Sequence, residues 1–130
     1  MRKSSYHFLR VGLAITFLWI GVLIFRDPQA WGSYIQPWAV KLLPMPLAQV
    51  MFSTAILDVI VGLGLLFDFF PWVAALLGSV HLIIVIVTSG LTDITVRDVG
   101  LLTGVLALFI ETAPVWITSR FTKKSEVSLP

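Results

Sequence analysis

Long apolar runs, each interrupted by a short polar or proline-bearing segment, dominate the chain. A helix crossing the hydrocarbon core of a bilayer needs about 20 mostly apolar residues. Four stretches meet that length, at roughly 6–26, 47–67, 71–91 and 98–118. Arg26-Asp27-Pro28 closes the first and Pro44-Met45-Pro46 opens the second. Asp68-Phe69-Phe70-Pro71 turns tightly between the second and third, and Thr92-Asp93-Ile94-Thr95 separates the third from the fourth. So short a turn at 68–70 makes spans two and three antiparallel neighbours. The pattern predicts an all-α integral membrane protein, a bundle of four transmembrane helices.

The segment 27–46 is more than a linker, because Trp31, Tyr34, Ile35, Trp38 and Leu42 recur at the spacing of one helical face. It reads as a short interfacial helix in the first outer loop, bent at Pro37, with Trp31 and Trp38 at headgroup level. An irregular aromatic loop is the alternative. Trp72 and Trp116 mark the opposite, inner belt. Residues 1–121 form one transmembrane domain on this reading, and 122–130 a short, polar, flexible cytoplasmic tail.

Composition agrees with lipid as the solvent. Of 130 residues, 58% are hydrophobic and 12% charged, whereas a soluble domain carries roughly 25% charged residues. The basic residues gather at the two ends instead of forming a stripe, so the net charge of +2 does not point to nucleic acid. With no cysteine, disulfides, thiol redox chemistry and thiolate metal sites are excluded. The basic start and the apolar run Val11–Phe25 resemble a signal peptide, but no small-residue cleavage site follows, which favours a retained first helix. With four spans, Arg2, Lys3, Arg10, Arg120, Lys123 and Lys124 share one side, against Arg26, Lys41 and Arg97 on the other. The positive-inside rule then places both termini in the cytoplasm, in the cell (inner) membrane.

Ionisable residues inside a span each cost about 2.5 to 3.5 kcal/mol at the helix centre, and such residues are functional candidates by default. At about 1.5 Å per residue, Asp58 lies about 16 Å from the outer end of span two and His81 about 15 Å from the inner end of span three. Both fall near the midplane of consecutive antiparallel helices. They can therefore meet in the interior and bind a proton or a ligand, or only hydrogen-bond the helices together. The same estimate makes Arg10 and Glu111 a structural ion-pair candidate near the inner face. Arg97 and Asp98 open span four at the outer boundary, where a carboxylate suits a helix N-terminus, as a second such pair, as a ligand contact or as a solvated start.

Small residues mark helix-packing faces. Gly100 and Gly104 form a GxxxG, Gly62 continues a stripe with Thr54 and Asp58, and Gly21 one with Arg10 and Ala14. Two histidines at different depths do not make a bis-histidine haem site. No metal cluster, phosphate-binding glycine loop or serine triad has a recognisable spacing.

Several strings in this chain resemble the DoxX family of small four-helix membrane proteins. They are Leu9-Arg10 with Phe17-Leu18-Trp19-Ile20-Gly21, Asp27-Pro28 with Trp31 and Pro37, the stretch 58–64, and Val96-Arg97-Asp98-Val99-Gly100-Leu101-Leu102. The resemblance implies a membrane subunit near quinone-linked or sulfur and thiol redox chemistry, since founding members accompany thiosulfate:quinone oxidoreductase. Many relatives carry a glutamate where Asp58 stands and a lysine near the end of span one, where this chain has Ile24-Phe25-Arg26. No catalytic residue is assigned.

The leading expectation is a membrane subunit or partner of an oxidoreductase complex, not an enzyme on its own. No cofactor is evident, although a quinone head group suits Asp58 and His81, and oxidoreductase subunits or a homo-oligomer are the expected partners beside lipid. A small proton-coupled transporter, or a non-catalytic scaffold, are the alternatives.

Overall fold

A computed structural model describes residues 1–126, with side-chain environments through residue 120. The described residues form seven helices and no strand: α1 (Lys3–Arg26), α2 (Pro28–Gly32), α3 (Pro37–Val40), α4 (Leu47–Leu66), α5 (Pro71–Ser89), α6 (Thr95–Thr112) and α7 (Val115–Glu126).

Local chemistry sets the boundaries. Asp27 ends α1 with its N–H on the Leu23 carbonyl, and its carboxylate then accepts from the Ala30 N–H at 3.1 Å to cap α2, which starts on Pro28. Pro37 likewise occupies the first turn of α3. The expected single bent interfacial helix is therefore two short helices, because Pro37 starts a new helix after the break at 33–36 instead of bending one. α5 stops at Gly90, whose φ of 72° suits the left-handed side of the map that glycine enters without strain. The fourth long helix also ends earlier than the sequence predicts, at Thr112. Ala113, held extended by the proline after it, stops α6 there, and α7 starts anew beyond Pro114. The backbone of α7 stays helical to Glu126, through the first part of the segment 122–130 expected to be a flexible tail, whose residues 127–130 lie outside the described residues.

α1, α4 and α5 are each long and apolar enough to cross a membrane. α6 is not among them, since Arg97, Asp98 and Glu111 fall within its 18 residues. The long helices form a ring in which α1 packs mainly on α4 and α5 mainly on α6, with α4–α5 and α1–α6 contacts closing it. Glycines let α1 and α4 approach closely. A Cβ at Gly21 would lie 3.1 Å from the Ala55 carbonyl oxygen and one at Gly62 3.1 Å from that of Ala14. Gly104 has a similar role against Leu13, whereas a Cβ at Gly100 would meet nothing within 4 Å. Gly100 faces outward, so of the GxxxG pair only Gly104 packs within the bundle.

The interior has two parts. At the 68–70 end, Leu13, Ala14, Phe17, Val61, Leu65, Ala75, Val105 and Leu108 form a continuous apolar core. At the 27–46 end, a smaller cluster of Ile24, Met51 and Ala55 is covered by Trp31, Ile35 and Leu47. Outward lie large apolar side chains such as Phe8, Trp19, Ile60 and Val87. An apolar surface that broad is characteristic of a protein facing lipid.

Candidate functional site

Asp58 and His81 meet inside the bundle. α4 carries Asp58 inward on the face of Met51, Ala55, Val61 and Leu65, and α5 carries His81 inward beside Gly78 and Leu82. Imidazole Nε2 lies 3.1 Å from a carboxylate oxygen, and Asp58 is 2% exposed. Removed from water, neither group has another charged partner at that distance among the described residues.

The pair opens into a cavity of about 170 Å³ at the 27–46 end of the bundle. Engineered apolar cavities of roughly 150 Å³ hold a benzene ring, so this one accepts a single six-membered ring with small substituents. Its floor is Phe17 and Leu82, and its walls include Ile20, Met51, Val85 and Leu101. No residue of α1 before Phe17, of α4 after Asp58, of α5 before His81 or of α6 after Leu101 lines it, so the apolar core closes its far end.

Trp31, Tyr34, Ile35 and Ala39 form the roof. One backbone bond, Gln36 N–H to the Thr88 carbonyl at 2.9 Å, ties this roof to the end of α5. Trp38 is exposed, and its indole N–H donates to the Gln36 side chain at 2.6 Å instead of entering the cavity. Trp72 is half-buried at the start of α5 and Trp116 exposed on α7, both away from the cavity.

Arg97 and Asp98 also line the cavity, from the first turn of α6. Thr92 and Thr95 exchange backbone-to-hydroxyl bonds of 2.7 and 3.1 Å in the manner of a capping box, fixing where that turn begins. Asp98 is 5% exposed and lies within electrostatic range of both Asp58 and His81. Arg97 reaches one Asp98 oxygen through two N–H groups, both at 3.4 Å, and remains 43% exposed. The expected Arg97–Asp98 contact exists, but a solvated helix start does not describe it, because Asp98 points into the bundle. The sequence reading left a ligand contact open beside the solvated start. The signal was present in Thr95, Asp98, Leu102, Val105 and Leu108, whose spacing of three and four places the acid on the apolar, inward face.

The other expected ion pair is not formed. Arg10 is buried and turns to the C-terminal end of α4, donating to the Leu65 carbonyl at 2.5 Å and the Leu66 carbonyl at 2.7 Å. Carbonyls in the last turn of a helix carry the negative end of its dipole, which makes them a better target for a guanidinium than a distant carboxylate, and the Leu65 carbonyl also accepts the Asp68 N–H at 3.3 Å. His7 lies 3.1 Å from Arg10, and Asp68 lies 3.8 Å from its Nε. Glu111 pairs instead with the N-terminal ammonium at 2.7 Å. Among the described residues, no group of three His, Cys, Asp or Glu side chains has the arrangement of a metal site.

Comparison with known proteins identifies the family. The family model for DoxX matches residues 5–91. No curated protein and no solved structure matches the chain. The match spans most of the chain, including Asp58 and His81, and stops short of Arg97 and Asp98 on α6. This chain belongs to the DoxX family, and with several apolar helices it is a multi-pass membrane protein in contact with lipid.

Proposed function

For this DoxX-family membrane protein we propose that the cavity beside Asp58 and His81 binds the head group of a lipid-soluble quinone. On this reading the protein serves as a membrane subunit or partner of a quinone-linked or sulfur and thiol oxidoreductase. The observation that carries the reading is a buried acid–imidazole pair facing a mostly apolar, ring-sized space. Small-molecule sites combine these features, with apolar walls for the body of the ligand and a few convergent polar groups for its orientation. His81 and Arg97 can donate to ring oxygens, while Asp58 and Asp98 can accept protons from them. A quinone supplies two-electron chemistry when bound. The chain's own contribution is to orient the ring, exclude bulk water and hold a proton between Asp58 and His81.

In the same reading α6 is a fourth span. Its ionisable residues lie in its first turn and near its end, leaving Val99–Ile110 without a charge. Its 18 residues extend about 27 Å at about 1.5 Å per residue, close to the thickness of a hydrocarbon core. Both termini and the 68–70 turn then face the cytoplasm, while α2 and α3 lie at the outer interface. Closure of the cavity by the apolar core supports a binding site that is open at one end over a transport path.

Purified protein in lipid nanodiscs tests the reading. Copurifying quinone, or saturable binding of an added short-tailed benzoquinone pair that weakens at least about tenfold in Asp58→Asn or His81→Ala, is the expected result. Absence of binding by either redox form would reject it.

A further inference from the structure

Most side chains that line the cavity beside Asp58 and His81 are buried or half-buried, and the exposed ones are Tyr34, Ile84 and Arg97. Tyr34 lies on the roof and Arg97 on the first turn of α6, and both carry polar groups. Ile84 alone of the three is apolar, and it is 54% exposed on a surface that faces lipid. One helical turn, about 4.5 Å of rise, separates it from His81. The seam between α4 and α5 beside Ile84 therefore offers an apolar substituent on a ring in the cavity an exit into hydrocarbon.

The same seam is open again nearer the 68–70 turn. There a groove of about 570 Å³ lies between α4 and α5, and no residue lining it carries a polar side chain. Gly64 of α4 and Ala74 of α5 keep it deep, since a Cβ added at Gly64 would stand 3.1 Å from that of Ala74. The exposed side chains of Ile60, Leu63 and Leu77 form its rims. On α5, Ala74, Leu77, His81, Ile84 and Thr88 follow at intervals of three and four, so groove and cavity share one helical face. From Ile84 to Val73 that face extends about 16 Å.

The geometry points to this groove as the seat of a linear hydrocarbon tail, isoprenoid or alkyl, borne by the ligand whose head group occupies the cavity. The inference rests on the proposed quinone site and adds a second subsite to it. The occupant follows from continuity: a ring substituent that leaves past Ile84 enters the seam whose next open length is the groove. Lipid tails are as apolar as the groove, so the bound tail gains close packing and not transfer from water. Its placement is thus a sharper readout than its affinity.

The test uses the full chain in nanodiscs, a tail-less benzoquinone, and a benzoquinone whose decyl tail ends in a photoreactive diazirine. Irradiation is expected to label residues 60–77, and excess unlabelled decyl-benzoquinone is expected to displace the label. Leu77→Trp, which fills the groove from an exposed position, is expected to reduce that labelling at least about threefold while the tail-less ring binds within about twofold of wild type. Ile60→Trp provides a second variant should Leu77→Trp lose its helical circular dichroism. Labelling confined to α1 or α6, or labelling unchanged in both variants, would overturn the inference while binding of the tail-less ring leaves the quinone site standing. Equal displacement by decanol, which has no ring, would overturn it too, as the mark of a groove that takes any lipid chain. Failure of both the tailed and the tail-less ring to bind would remove the inference together with the site.

Discussion

Gly62 of α4 lies against Ala14 of α1 so closely that a Cβ added at 62 would stand 3.1 Å from the Ala14 carbonyl oxygen and 2.6 Å from Leu18 Cγ. Helices in lipid gain little from burying apolar surface against one another, so association depends on contact at this range. Gly62→Leu is therefore expected to destabilise the α1–α4 contact by about 1–3 kcal/mol, the usual size of an overpacking penalty. Gly100→Leu, which adds a side chain where nothing lies within 4 Å, should leave the melting temperature in mild detergent within error. Equal losses from both substitutions would contradict the helix arrangement described.

The clamp at the other end of the bundle is also testable. Arg10→Met removes donors from the Leu65 and Leu66 carbonyls and is expected to lower stability by about 1.5–3 kcal/mol, as for hydrogen bonds to a charged group. Arg10→Lys should recover only part of this, because an ammonium lacks the planar fork that reaches both carbonyls. Glu111→Gln, in a pair with the exposed terminus, should cost under about 1 kcal/mol. A Glu111→Gln effect as large as that of Arg10→Met, measured by thermal unfolding, would restore the Arg10–Glu111 pairing.

Contact between Asp58 and His81 predicts non-additivity. Removing one member of a buried pair leaves the other without a partner, at a cost of about 3–5 kcal/mol, whereas replacing both with apolar groups is far less damaging. The double substitution Asp58→Leu with His81→Leu is expected to be more stable than Asp58→Leu alone. Additive losses in unfolding measurements would mean that the two side chains do not interact.

Absence of native cysteine makes sidedness accessible to single-cysteine labelling without a background to remove. If α6 crosses the bilayer, Asp93→Cys and Ser125→Cys react with an impermeant maleimide from opposite faces of oriented vesicles. Labelling of both from the same face would eliminate α6 as a span.

Much of the bundle was legible in the residue pattern, for identifiable reasons. Prolines and Asp27 act locally, so the boundaries at 26–28, 44–46 and 68–71 follow from the sequence alone. Rise per residue placed Asp58 and His81 at matching depths, and the fold brings them into contact. Orientation about the helix axis was harder to read. Whether Gly100 packs depends on how α6 rotates against α1 and α5. A four-residue glycine spacing does not encode that rotation. Arg10 was misassigned because its partners are main-chain carbonyls, which every residue has and no residue type announces.

The 68–70 turn places two non-glycine residues, Asp68 and Phe70, in the left-handed region, a conformation that costs free energy unless its surroundings hold it. Those surroundings come from α1. Tyr6 donates to Asp68 at 2.6 Å, and Arg10 spans the helix end just before the turn. The α4–α5 hairpin is thus completed by side chains encoded some sixty residues upstream. During synthesis, those anchors emerge from the ribosome before the hairpin that needs them.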